Sequence, residues 1–168
     1  EVAEAMRLRP ANQAEFAAAV RNASPPRDFY GAITAVGPTI RVIAEIKKAS
    51  PSAGLIRADF EPTSIARTYA AAGAAALSVL TDRTYFSGEL AFVEQVKAAV
   101  PLPVLRKDFI IDEYQLLESR AAGADAVLLI AAILTSTQLQ SWTRIACDLS
   151  MTTLIEIHTA DEYEVVRE

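Results

Sequence analysis

The sequence has little of what usually marks a disulfide framework, a metal centre or a phosphate loop. Of its 168 residues, one is cysteine and one is histidine. The lone Cys147 has no partner for an internal disulfide, which fits a reducing compartment, and it is expected to be a small buried residue on a helix. No His/Cys/Asp cluster stands at metal-ligand spacing, so no metal is implied. The net charge of -5 comes with scattered Lys and Arg, without the basic stripe that neutralises phosphates along a nucleic acid. That disfavours nucleic-acid binding and leaves open a small anion held by a few local cations in a cleft. No apolar run approaches the ~20 residues of a membrane span. Residues 1–13 carry no apolar core behind a basic start, so a secretory leader is not expected and the cytoplasm is the default address.

What the chain does have is apolar residues, 52% of the total, enough for one soluble globular domain. From Arg41 onward short apolar runs alternate with longer amphipathic ones. The short runs are Arg41-Val-Ile-Ala-Glu-Ile46, Ala75-Ala-Leu-Ser-Val-Leu80, Leu102-Pro-Val-Leu-Arg106, Ala126-Val-Leu-Leu-Ile130 and Thr153-Leu-Ile-Glu-Ile157. They read as buried parallel strands. Helices are predicted between them over 64–72, 89–99, 113–122 and 136–149, with a last one starting at Asp161. The repeat of about 25 to 35 residues is that of a βα unit. Ala71-Ala-Gly-Ala-Ala-Ala-Leu77 echoes Ala121-Ala-Gly-Ala-Asp-Ala-Val127, a glycine ending each helix just before the next strand.

The reading is therefore an α/β chain with a single domain over residues 1–168. Residues 1–38 form an N-terminal helical extension, with a helix over 12–22 and an extended linker over 24–28; residues 39–168 form five βα units. Two architectures fit: an incomplete (β/α)8 barrel, whose closed form takes about 250 residues, or an open doubly wound sheet. The segment after the first strand, Lys47-Lys-Ala-Ser-Pro-Ser-Ala-Gly54, matches neither the dinucleotide nor the Walker loop and so favours the barrel. A barrel short of three units leaves an apolar sheet edge open to self-association.

Charged residues inside apolar strands are costly unless paired or used. Glu45 and Lys47 share one face at the exit of the first strand, Lys107 ends the third, and Glu156 lies near the end of the fifth. In a barrel these ends meet at one mouth, where two lysines and two glutamates could move protons. Weaker candidates surround them. Ser50 and Ser52 could donate to an anion, though a turn is the commoner role for such serines. Tyr85-Phe-Ser-Gly88 could set a ring at the mouth or cover a core edge. His158, in step with Glu156, is expected to be solvated or capping.

At these residues the chain resembles the indole-3-glycerol phosphate synthases, (β/α)8-barrel enzymes of tryptophan biosynthesis. The likeness runs through Ile43-Ala-Glu-Ile-Lys-Lys-Ala-Ser-Pro-Ser52, Ala76-Leu-Ser-Val-Leu-Thr-Asp82 with Tyr85-Phe-Ser-Gly88, Pro103-Val-Leu-Arg-Lys-Asp-Phe-Ile-Ile-Asp112, Ala121 to Ile130 and Leu154-Ile-Glu-Ile-His158. The ordered set is far more specific than any one segment. The resemblance implies a cofactor-free lyase, a decarboxylase that closes 1-(2-carboxyphenylamino)-1-deoxyribulose 5-phosphate to indole-3-glycerol phosphate with loss of carbon dioxide and water. It implies Lys107 as general acid on the ketose carbonyl, Glu156 as general base in the dehydration, Lys47 as substrate-binding cation and Glu45 as the group that orients them. Ser50 would bind substrate, and Phe86, Phe109, Leu128 and Ile130 would wall the aryl pocket. The family's sixth strand, with its Asn-x-Arg signature, and its phosphate-binding seventh and eighth strands have no counterpart before Glu168, as expected of a fragment. Two other readings remain: a barrel lyase using Lys107 as a Schiff base, and a partial barrel acting as an assembly module.

Overall fold

The computed structural model describes residues 18–21, 23–37 and 39–167. Within the expected first helix, residues 18–21 are helical, and the rest of that expectation lies outside the described residues. Residues 24–28 have no regular structure, as the prolines there require. A short helix, α1 (Phe29–Thr34), follows, with Asp28 as its cap: the carboxylate accepts the Gly31 amide at 2.7 Å. The sequence reading did not foresee this helix.

Five parallel strands then form one sheet in chain order: β1 (Ile43–Ile46), β2 (Ala76–Leu80), β3 (Val104–Lys107), β4 (Ala126–Ile130) and β5 (Thr152–Glu156). Each step is a parallel neighbour. Sequential order without a switch point is the barrel pattern and argues against the doubly wound sheet, whose strand order reverses. The crossovers are α2 (Pro62–Ala71), α3 (Arg83–Phe86) with α4 (Ala91–Ala99), α5 (Tyr114–Ala121), and α6 (Ser136–Asp148). A last helix, α7 (Ala160–Val166), follows β5.

The sheet's two faces have separate roles. Ala44, Ile46, Leu77, Val79, Val104, Val127, Leu129 and Ile155 pack with Ile65, Val93, Val96, Leu116, Leu139 and Trp142 of the crossover helices in the main core. On the opposite, inner face, Ile43, Ala76, Leu105, Ala126 and Leu154 gather with Phe29 and Ile33 of α1 in a second cluster. So α1 covers the end of the inner face where the strands begin. The other end is free for a site.

The echoed glycines behave as expected. Gly73 and Gly123 have φ of 86° and 84°, and the amides of Ala74 and Ala124 reach back to the carbonyls of Tyr69 and Ser119 at 3.0 Å each. That is the Schellman closure of a helix. A third copy went unread because it lacks glycine: Ser150 sits at φ 60°, and the Met151 amide bonds the Ala146 carbonyl at 2.8 Å. Asp125, fully buried, anchors the extension at this end of the sheet. Its carboxylate accepts the amides of Val104 and Arg27 at 2.7 and 2.6 Å and the Lys97 ammonium at 2.6 Å.

Cys147 is on a helix but exposed. The expectation of burial fails because the apolar stripe of α6 runs through Leu139, Trp142 and Ala146, and Cys147, one position beyond Ala146, turns outward.

Candidate active site

Side-chain alternation fixes what the free end of the inner face displays. On β1 the outward residues are Ala44 and Ile46, so Glu45 and Lys47 point inward. Lys107 is in step with the inward Leu105, Leu128 and Ile130 with Ala126, and Glu156 with Leu154. Register then levels the strands: Lys107 is opposite Leu80, and Ile130 opposite Glu156.

The result is one cavity of about 180 Å³ lined by Leu80, Asp82, Phe86, Lys107, Asp108, Phe109, Leu128, Ile130 and Glu156. Lys107 and Glu156 therefore share a pocket, and all four of the apolar residues expected in its wall are there. Phe86 and Phe109 lie with ring centroids 6.3 Å apart, and Tyr85 packs edge-on against Phe109 at 6.0 Å. Tyr85 is itself largely exposed, so it buttresses a wall residue from outside.

Glu45 ties the two lysines together. One carboxylate oxygen meets the Lys47 ammonium at 2.6 Å and the other meets Lys107 at 2.9 Å. Partial burial alone would raise the Glu45 pKa, but the hydrogen bonds and charges of Lys47 and Lys107 outweigh it and hold the carboxyl below its ordinary range. Glu156 has a different neighbour: the imidazole Nε2 of His158 is 3.4 Å from Oε1. His158 is solvated, as expected, and its backbone amide donates to Glu162 at 2.7 Å.

Not every expected residue lines the cavity. Neither Glu45 nor Lys47 is in its lining: Glu45 adjoins the cavity through its ion pair with Lys107, and Lys47 is joined to it through Glu45. Ser50 belongs to a two-residue hairpin strand, Ala49–Ser50 paired with Gly54–Leu55. Its hydroxyl accepts the Ala53 amide at 3.2 Å and lies 3.4 Å from the Ser52 hydroxyl. This is the turn-forming role, so Ser50 is not brought to the cavity by the described residues. Asp82 and Asp108, on the other hand, are wall residues that sequence reasoning passed over. Asp82 caps α3 through the Tyr85 amide at 2.6 Å. Asp108 accepts from Thr81, Arg106 and the Phe109 amide. Asp108 is thus occupied on both oxygens, and Asp82 on one. The signal that could have found them is their position, within two residues of a strand end.

The family model for indole-3-glycerol phosphate synthase matches residues 1–168. The chain belongs to the indole-3-glycerol phosphate synthase family. Relatives of that name include those of Neisseria meningitidis, 54% identical over 93% of this chain and 61% of its own length, and Rhodopirellula baltica, 53% identical over 86% of this chain and 56% of its own. The protein from Chlorobium limicola is 46% identical over the whole chain and 64% of its own length. The chain thus spans a little over half to under two thirds of the synthases it matches. Among the described residues no group of three or more His, Cys, Asp or Glu could hold a metal ion, and no helix is long and apolar enough to cross a membrane.

Proposed function

We propose that the chain supplies the ring-closing half of an indole-3-glycerol phosphate synthase site, within a (β/α)8 barrel completed by further βα units. The observation that carries this is the shared cavity: an ammonium and a carboxylate on β3 and β5 face one space whose other walls are largely apolar. The site is sized for part of the substrate. Ligand pockets usually measure about 300–1,000 Å³, so 180 Å³ fits the aryl end, and the ribulose phosphate would extend toward the open side of the sheet.

In this reading the aryl ring lies between Phe86, Phe109, Leu128 and Ile130. Lys107 hydrogen-bonds the ketose carbonyl and protonates it as the ring carbon bearing the carboxylate attacks. The new carbon–carbon bond forms, the carbonyl oxygen becomes a hydroxyl, and the carboxylate leaves as carbon dioxide, returning the ring's electron pair. The hydroxyl then takes a proton from the second ammonium, Lys47, and leaves as water, while Glu156 takes a proton from the adjacent ring carbon, which completes the indole. An ammonium held in a partly dry site stabilises the developing alkoxide strongly. Glu45, paired with Lys107 and Lys47, balances their charge and fixes the Lys107 amine in place. Ser50 and Lys47 bind the substrate's anionic groups once it bridges to them.

The ion pair with Glu45 favours this role for Lys107 over a Schiff base, because an ammonium has no lone pair with which to attack a carbonyl. Borohydride with substrate separates the two: a trapped covalent adduct at Lys107 overturns the acid role. A second reading, assembly through the sheet edges, is supported by β1 and β5, each with one strand neighbour among the described residues. The proposed activity is tested by assaying the full-length gene product that carries these residues for indole-3-glycerol phosphate, detected by its indole absorbance. No product from folded protein overturns the reading.

A further inference from the structure

Arg106 is a buried cation on the outer face of β3, among aliphatic side chains, and the reaction does not use it. A buried guanidinium is costly unless its fork is filled. Here the fork is filled from three directions. Nε donates to the Thr81 hydroxyl at 3.1 Å, in the loop after β2. Nη2 donates to Asp108 Oδ2 at 2.8 Å, in the loop after β3. Nη1 reaches Glu118 Oε2 at 2.8 Å, the Ser119 hydroxyl at 3.1 Å and the Gln115 carbonyl at 3.2 Å, all on α5. Thr81 closes the ring, donating to the same Asp108 oxygen at 2.6 Å.

The two loops joined in this way hold the cavity's aromatic walls. The loop after β2 continues from Thr81 through Asp82 into α3 and Phe86. The loop after β3 runs from Asp108 to Phe109, whose amide bonds the other Asp108 oxygen at 2.8 Å. Gln115 fixes the rest of that loop, accepting the amides of Ile111 and Asp112 at 2.8 and 3.1 Å and donating to the Phe109 carbonyl at 3.0 Å. The backbone is tied as well, for the Thr81 amide donates to the Lys107 carbonyl at 3.1 Å.

We propose that Arg106 and Thr81 are positioning residues: with Asp108 they lock the loops after β2 and β3 into one unit behind the cavity, and so hold the packed Phe86–Phe109 pair in place as one wall of the space that receives the aryl ring. This specifies the aryl slot of the function proposed above and rests on that reading. A loop pair that moves as one presents a preformed slot. Unlocked loops must be ordered by the ligand, which weakens binding more than it slows chemistry.

The cleanest variant is Thr81→Val in the full-length gene product, because it keeps shape while removing the hydroxyl that joins the loops. KM is expected to rise about tenfold with kcat changed less than about twofold. Thr81→Ser, which restores the hydroxyl, is expected to restore KM. Amide hydrogen exchange supplies a readout independent of turnover: in Thr81→Val, the amides of Phe109 and Gly88 should lose protection together, with the strands unchanged. Arg106→Lys, which keeps charge but not the fork, should do the same. Loss of protection at Phe109 alone, an unchanged KM, or a uniform loss across the sheet overturns the inference. If the wild-type protein makes no indole-3-glycerol phosphate, the exchange result still decides whether the loops are locked, and only the functional reading fails.

Discussion

The Glu45 carboxylate, on the first strand, holds the Lys107 ammonium, on the third, at 2.9 Å across the intervening strand. The inner-face residue opposite Glu45 on that middle strand is Ser78, whose small side chain leaves the path clear. The contact joins sequence positions 62 apart. In the proposed mechanism it makes Glu45 the group that orients Lys107, and the pH dependence below derives from it.

Replacing Lys107 removes the proposed proton donor and leaves the aromatic and aliphatic walls of the cavity in place. Lys107→Met in the full-length gene product is expected to lower kcat by about 10²–10⁴-fold, the usual contribution of a positioned acid. Because the side chain is about one-third exposed (35%), the unfolding midpoint should change little. Near wild-type turnover in a folded variant removes Lys107 from the mechanism.

Acid should act through Glu45. Its folded pKa is depressed below the ordinary 4.5, so its contribution to stability is present above the unfolded pKa and is lost as pH falls through the folded value. Urea midpoints measured from neutral pH into the acid range below 4.5 should fall more steeply for the wild type than for Glu45→Gln, which has no charge to lose. Parallel curves rule out this linkage.

Ser150 offers a test away from the site. A non-glycine residue in the left-handed region carries a cost that glycine avoids, of about 1–2 kcal/mol before glycine's greater unfolded entropy is set against it. Ser150→Gly, at φ 60°, is therefore expected to stabilise by about 1 kcal/mol or less, with activity unchanged. A lower unfolding midpoint contradicts the strain argument.

Gly88 should tolerate nothing larger. A Cβ there would stand 2.4 Å from the Leu80 carbonyl oxygen and 2.8 Å from its carbon, both backbone atoms that cannot swing aside. Gly88→Ala is expected to cost about 1–3 kcal/mol, the range for overpacking, and to raise KM by displacing the neighbouring Phe86. A variant with wild-type stability and KM would mean that this loop is free to shift.

Much of this was legible in the sequence because two periodicities carry it. Apolar runs bounded by amphipathic segments marked all five strands to within about two residues, period-two alternation put Glu45 and Lys47 on one face, and their places at strand ends brought Lys107 and Glu156 to the same mouth. The remainder depends on what periodicity cannot encode. Helix α1 is only six residues long and is held by its packing against the inner face, so no amphipathic repeat announces it. The hairpin that occupies Ser50 is set by a turn, and the third Schellman closure is disguised by serine. Arg106 was readable in principle, since it breaks an apolar strand just as Lys107 does. It lies on the opposite face, however, and its partners Thr81, Asp108 and Glu118 are brought together only by the fold.

The central claim is that Lys107 and Glu156 act on one substrate in one pocket. A crystal structure of the full-length gene product with the substrate reduced at its ketose carbonyl tests this most directly. The expected result is the aryl ring between Phe86, Phe109, Leu128 and Ile130, with the Lys107 ammonium within hydrogen-bond reach of the hydroxyl that replaces the carbonyl and Glu156 facing the same carbon–carbon bond. A ligand bound outside that cavity, or one whose hydroxyl is out of reach of Lys107, contradicts the account.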